Sequence, residues 1–424
     1  MPILRAGLSC RAISPLPGIY LMGYGNRVQG NIGIHDDVYV TTLSLDDGQR
    51  QAAILTVDHT FIHPTVIEQV KKRLPEIASE AIFICCSHTH AGPIGYADVS
   101  SRPEDIQYIA FLVDQLVRSV REASANRQPV SLYSGQSDAY ININRRERTP
   151  QGAIVIGNNR NGLVDHTVQV VQVRTEQNAL LATLVNYACH PVVMGPFNRY
   201  VSADWVGAMR RAVETDSGSL CLFVQGATAD VNPRQMRWTV DSWDEVDEQG
   251  SAVADAVGDA ASRMQRLAID DGIQSRQETV WLPLSQPAGP ISQLQQFFKE
   301  AHSDEALQAE LHKVFPWHVD LQTRDGVLHS PIQIGVLRVG EWALAAMATE
   351  PFTETGLAIK AASPAKTTFV AGYTNGCNSY LPVANAYQQG GYEVETAPLF
   401  YGLPSGFAQG GAETITSAVQ SLFV

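Results

Sequence analysis

The chain of 424 residues is 45% hydrophobic and 17% charged, which suits one large α/β domain or two medium ones with ample core. Its 43 acidic residues outnumber 30 basic ones for a net charge of −13, and that balance argues against nucleic acid as a partner. No stretch approaches 18 consecutive apolar residues, so no membrane span is expected.

The N-terminal MPILRAGLSCRAISP lacks the apolar core of a signal peptide, and a cytoplasmic protein is expected. Cys10, Cys85, Cys86, Cys189, Cys221 and Cys377 lie mostly in apolar runs without a CxxC, so they read as reduced thiols. Leu16 to Gly33 is rich in glycine and proline. It reads as an ordered loop, suited to close backbone approach to a ligand or to plain turns. Val38–Leu45 and Ala52–Val57 are β-rich, and Pro64–Leu74 has helical apolar spacing. The apolar run Ala81–Cys86 reads as a buried strand that leads straight into Ser87–His88–Thr89–His90–Ala91–Gly92–Pro93. In an extended chain, residues i and i+2 point the same way, so two imidazoles would face one spot at a strand's C-terminal end. Open α/β sheets usually bind ligands there, and neutral imidazole is a standard zinc donor. Taken alone, the pair reads more readily as two surface-loop histidines.

Glu104–Ala125 fits an amphipathic helix, with Ile106, Ile109, Leu112 and Leu116 on one side. Val130–Ser134 and Asp138–Ile143 are strand-like, and the second opens into Asn144–Arg148. The three arginines there read as a solvated loop, with one in reach of an anionic or carbonyl oxygen. Val168–Val173 and Leu180–Asn186 form a strand pair, the second running into His190–Pro191. Ser202 is the expected N-cap of a helix reaching about Glu214. Leu220–Val224 is a buried strand ending in a small-residue loop with Asp230 and Asn232. Ser242–Leu267 reads as a long helix and Val280–Leu284 as a strand. Ile291–Trp317 is helical and charged, and residues 290–330 read as an insertion or lid. Pro331–Val339 and Trp342–Met347 form a hairpin that leads into Glu350. Thr353–Ala362 is the next helix and Thr367–Ala371 the next strand. A loop with Tyr373, Tyr380, Tyr387, Tyr392 and Tyr401 follows, and Ala412–Phe423 closes the chain as a helix. Alternating strands and helices with hairpins imply an α/β fold, a large mixed β-sheet flanked by helices, in a single domain over 1–424.

Several strands thus end in a metal-competent residue: His88 with His90, His190, Asp230 with Asn232, and Glu350. Two histidines and a glutamate are a known zinc set for hydrolysis. Over nearly the whole chain the sequence resembles the neutral ceramidases and their relatives, zinc amidases that split the N-acyl bond of ceramide. The resemblance lies in Leu21–Met22–Gly23–Tyr24 with Gly33–Ile34–His35, in Ser87–His88–Thr89–His90–Ala91–Gly92–Pro93, and in Ile143–Asn144–Arg145. It continues through His190–Pro191, Glu350–Pro351–Phe352–Thr353, and Tyr380 with Tyr387 and Tyr392–Glu393.

This resemblance implies the ceramidase catalytic-domain fold and one zinc per chain, held by His88, His190, Glu350 and Tyr380. It implies that His90 is an acid/base or hydrogen-bonding partner, that Arg145 contacts substrate and that Tyr392 stabilises an oxyanion. Two departures stand out. In Ala229–Asp230–Val231–Asn232–Pro233, Asn232 occupies the place of the family's serine nucleophile. The chain also ends at Val424, where true ceramidases continue into a C-terminal β-sandwich domain. The expected protein is therefore a zinc metallohydrolase that cleaves the C–N bond of a small soluble N-acyl or cyclic amide. Zinc-activated water would attack directly, and Asn232 would hold the water or the substrate. An ester or lactone hydrolase, a zinc-dependent lyase or isomerase, and an inactive zinc-binding homologue are the alternatives.

Overall fold

The computed structural model describes residues 3–25, 27, 29–97, 99, 101–236, 242–285 and 320–423. Within them, a nine-stranded sheet begins with Leu220–Gln225, Leu180–Tyr187, Thr167–Thr175 and Gln128–Asp138. It continues through Arg5–Ala12, Tyr39–Asp46, Gln51–Val57 and Ile82–Cys86, and Gln265–Arg266 pairs with Gln128–Asp138. The outermost pair at each end is parallel, and the pairs between are antiparallel. A second sheet orders Ile273–Pro283, Val327–Val339, Trp342–Met347 and Thr367–Ala371, again with a parallel last pair. This is the expected α/β fold with a large mixed sheet flanked by helices.

Parallel neighbours cannot be joined by a tight turn, so each parallel pair closes through a helix. Pro64–Lys72 joins Gln51–Val57 to Ile82–Cys86, and Trp205–Ser217 joins Leu180–Tyr187 to Leu220–Gln225. Thr353–Ala362 joins Trp342–Met347 to Thr367–Ala371. Pro64 stands in the first turn, where a missing N–H costs nothing, and His63 caps that helix from Thr65 N. The cap of Trp205–Ser217 is Asp204 and not Ser202. Ser202 Oγ instead accepts from the Asp204 amide at 2.9 Å, so the serine secures the cap residue itself.

Leu220–Gln225 also touches Tyr39–Asp46, Gln51–Val57 and Ile82–Cys86, the strands at the far end of its own sheet. The sheet therefore bends over on itself, and its apolar faces meet. Leu222 and Val224 share one buried cluster with Leu43, Ile54, Ile84 and, from the second sheet, Phe369. Burying each such side chain contributes about 1.5–3 kcal/mol. Helix Pro103–Ala125 covers Arg5–Ala12 and Tyr39–Asp46 from outside, with Ile106 exposed rather than packed. Trp243–Ala261 covers Gln128–Asp138 and Thr167–Thr175, and Gly411–Leu422 covers Ile273–Pro283 and Val327–Val339. The bend draws the C-terminal ends of the three parallel pairs together.

Further expectations are revised. Asn144–Arg148 is not a solvated loop; it belongs to the strand Asn142–Arg148, and Arg145 and Arg146 are buried. The helical segment Ile291–Trp317 lies outside the described residues, and the end of the expected 290–330 insertion is a hairpin of Gln322–Arg324 against Val327–Val339. The long helix stops at Ala261, and Gln265–Arg266 turns into a short strand. All six cysteines are free thiols, with Cys10 exposed and the others buried.

Candidate metal centre

Three of the strands in these parallel pairs deliver a donor to one point: Ile82–Cys86 leads to His88, Leu180–Tyr187 to His190 and Trp342–Met347 to Glu350. His88 Nε2 lies 3.2 Å from His190 Nε2 and 3.2 Å from His90 Nε2. Glu350 Oε2 lies 3.5 Å from His88 Nε2 and 3.4 Å from His190 Nε2. The pairing of His88 with His90 does not come from an extended chain. His88 sits in the left-handed region at φ 64°, so a tight turn brings the rings together. Such backbone costs a non-glycine residue about 1–2 kcal/mol. It is held by the His88 amide on His59 O at 2.8 Å and by the Tyr373 ring stacked 3.9 Å from the imidazole. Asp230 does not join the cluster. It accepts from Thr353 N (2.8 Å), Thr353 Oγ1 (2.9 Å) and Asn144 Nδ2 (3.0 Å), and so braces the loop that carries Asn232.

The protons in this cluster can be assigned. His88 Nδ1 meets Thr60 O at 2.8 Å, and His190 Nδ1 meets Thr228 O at 2.7 Å and Val231 O at 2.9 Å. A carbonyl accepts only, so both Nδ1 atoms carry the hydrogen and both Nε2 atoms present lone pairs. Burial pushes His88 and His190 down to about 3 and His90 well below its usual value, so all three rings are neutral at pH 7. Two nitrogen lone pairs and an oxygen of Glu350 therefore face each other in a site almost closed to water. A cation fits that arrangement. Neutral imidazoles anchored to carbonyls through the far nitrogen, beside a carboxylate, are the usual protein donors for zinc. His90 differs, because its Nδ1 has no hydrogen-bond partner among the described residues.

Glu350 is clamped from both sides. Tyr373 OH donates to Oε2 at 3.1 Å, and Tyr401 OH donates to Oε1. Burial raises both phenols well above their usual range, so each keeps its hydrogen. Tyr380 bridges to Glu350 through backbone in a short parallel ladder. Its ring stands 5.6 Å from Tyr392 and 6.1 Å from Tyr401, with the Arg145 guanidinium 5.4 Å above it. Arg145 Nε donates to Glu393 Oε1 at 2.8 Å, Arg145 Nη1 to Asn232 Oδ1 at 3.4 Å, and Arg146 Nη1 to Glu393 Oε2 at 2.5 Å. Burial works against the Glu393 charge, but the two arginines more than offset it and hold its carboxyl below the usual range. Arg145 Nη2 has no hydrogen bond of good geometry among the described residues.

Seven of the eight expected site residues line one cavity of about 230 Å³: His88, His90, Arg145, Asn232, Glu350, Tyr380 and Tyr392. His190 lies behind its wall, against His88. Met22, Phe61, Ile156, Val192 and Phe400 supply apolar surface. Gly23 is part of the same wall. A Cβ there would meet His90 Cγ at 2.4 Å, so only glycine lets this loop pass the imidazole. No role for Tyr373, Tyr401 or Glu393 is legible in the sequence. The signal for Glu393 was the Arg145–Arg146 pair, which needs an anion once it is buried.

The profile of the family described as neutral/alkaline non-lysosomal ceramidase, N-terminal, matches residues 12–255. Neutral ceramidase 1 of Arabidopsis thaliana is 25% identical over 222 residues, 47% of this chain and 27% of that protein. Neutral ceramidase of Mycobacterium tuberculosis is 26% identical over 245 residues, 52% of this chain and 38% of that protein. These matches span well under half of the curated relatives' lengths. The crystal structure of neutral ceramidase from Pseudomonas aeruginosa superposes with a TM-score of 0.75 at 20% identity, covering 100% of this chain and 74% of that one. At that identity the superposition speaks for the fold.

Proposed function

Since the chain belongs to the neutral/alkaline non-lysosomal ceramidase family, we propose that it is a zinc-dependent hydrolase of a small N-acyl or cyclic amide. One observation carries this reading: the Nε2 atoms of His88 and His190 and the Oε2 of Glu350 converge within 3.5 Å of one another. His88, His190 and Glu350 would hold the ion, with Tyr380 as the fourth donor. Bound there, zinc lowers the pKa of water towards 7 and polarises a carbonyl.

The remaining steps belong to the side chains. His90, whose Nδ1 is tied to no carbonyl, would take a proton from water at that atom and return it to the leaving nitrogen. Arg145, fixed through Glu393, and the Tyr392 hydroxyl receive the charge that develops on the carbonyl oxygen. Asn232 has its amide oxygen on Arg145 and offers its nitrogen to the bound carbonyl. A carboxamide cannot form an acyl-enzyme, which supports direct attack by water over a covalent route. The cavity of about 230 Å³ is below the ~300–1,000 Å³ of typical ligand pockets, which favours a short acyl group.

The test is metal content of protein purified without added metal, for wild type and His190→Ala together. About one zinc per chain, lost in the variant, supports the centre. Screening of short N-acyl and cyclic amides in isotopically labelled water follows, and the solvent oxygen must appear in the acid product. A wild type that holds no metal and takes up no zinc overturns the proposal.

A further inference from the structure

We infer that Tyr401 is a positioning residue that restricts Glu350 to one donor oxygen; this rests on the metal centre proposed above. The two oxygens of Glu350 live in different surroundings. Oε2 faces both His88 and His190 and also accepts from Tyr373. Tyr373 belongs to the floor of the site. It is fully buried, its ring stacks on His88, and its hydroxyl lies 2.6 Å from Thr228 Oγ1. Oε1 accepts from Tyr401, which arrives from a separate element, the chain that follows Ala397–Phe400.

Tyr401 belongs to the cavity wall. Its ring leans on Phe61 at 5.7 Å and on Tyr380 at 6.1 Å, and its hydroxyl lies 3.7 Å from the Cys377 thiol. A carboxylate can give a cation one oxygen or two. Oε2 is turned to the two Nε2 atoms and Oε1 to Tyr401, so the Tyr401 contact holds the carboxylate with Oε2 towards the ion and Oε1 away from it. The same contact ties the wall that receives substrate to the donor that holds the ion.

The experiment compares wild type, Tyr401→Phe and Tyr373→Phe, each loaded with cobalt(II) and separately titrated with zinc against a chromophoric chelator. Circular dichroism checks that each variant folds. The wild type is expected to give the intense visible bands of a four-coordinate cobalt site. Tyr401→Phe is expected to weaken those bands, as the freed Oε1 adds to the ion, and to raise the zinc Kd about tenfold or more. Tyr373→Phe leaves Oε1 held by Tyr401 and should keep the four-coordinate spectrum. A Tyr401→Phe protein with the wild-type spectrum and a zinc Kd within about twofold of wild type overturns this inference and leaves the metal centre standing. A wild type that binds neither ion overturns the centre and this inference together. A Tyr401→Phe protein that cannot fold while Tyr373→Phe does would make the contact a packing requirement, and the inference would be wrong.

Discussion

Replacing Glu393 by glutamine should destabilise the protein out of proportion to the size of the change. Glu393 is the shared anion of Arg145 and Arg146, at 2.8 and 2.5 Å, and the three side chains are 1%, 5% and 7% exposed. Glutamine keeps the shape but removes the charge, so two guanidiniums stay side by side without a counter-ion. Breaking a buried ion pair by removing one partner costs about 3–5 kcal/mol. Unfolding entropy of about 2.1 cal/mol/K per residue gives a chain of 424 residues roughly 0.9 kcal/mol/K. The expected drop in Tm is therefore about 3–6 °C, read by calorimetry at pH 7. A second substitution in the same chain, Arg146→Met, should recover part of it, because one bare cation is removed. Arg145 also loses the partner on Nε that fixes its fork, so kcat/KM on the best short amide should fall about tenfold or more. A Tm within about 1 °C of wild type, with kcat/KM unchanged, would refute the argument. It would mean that water reaches the two arginines and that their burial is not sealed.

Gly23→Ala places a methyl 2.4 Å from His90 Cγ on backbone at φ 105°, so it should displace the imidazole and cut kcat/KM about tenfold or more while zinc content stays at the wild-type level. Equal losses of zinc and of rate would instead make His90 a ligand. Asn232→Ala should lower kcat/KM by roughly 10²-fold, as expected for one lost donor to a developing charge, again without loss of metal; an unchanged rate would remove Asn232 from the mechanism. Asp204→Asn tests pH linkage away from the centre. Burial pushes the Asp204 carboxyl up to about 6 from 3.8, so its proton favours the fold. That contribution is complete below about pH 3.8 and is lost as pH rises through about 6. The asparagine variant should therefore gain on wild type between pH 4 and pH 7, by up to about 3 kcal/mol in urea unfolding. A difference that does not vary with pH would show that the carboxyl titrates alike in folded and unfolded chains.

What could be read from the sequence was local. Ala81–Cys86, Leu180–Asn186 and Leu220–Val224 are apolar runs with abrupt polar ends, and so the strands and the residues just after them were legible. Their convergence depends on the sheet bending until Leu220–Gln225 meets Ile82–Cys86, and no local pattern encodes that. Asn142–Arg148 was misread because charge normally marks solvent, whereas its anion sits on Glu393, in a part of the chain with no sequence link to it. The rings of His88 and His90 do meet, but across a left-handed backbone at His88 rather than an extended one. Ser202 and Asp204 are both good caps by type; the helix begins at Trp205, whose amide donates to Asp204 Oδ1 at 2.8 Å.

The three strand–helix–strand units have a consequence for synthesis of the chain. His88 and His190 leave the ribosome early, and Glu350 follows His190 after about 160 residues. At roughly 5–20 residues per second, the nascent chain carries two histidines without their carboxylate for about 10–30 s. The proposed metal centre would then be assembled only when the last unit docks, so ion uptake would follow the arrival of Glu350 rather than precede it.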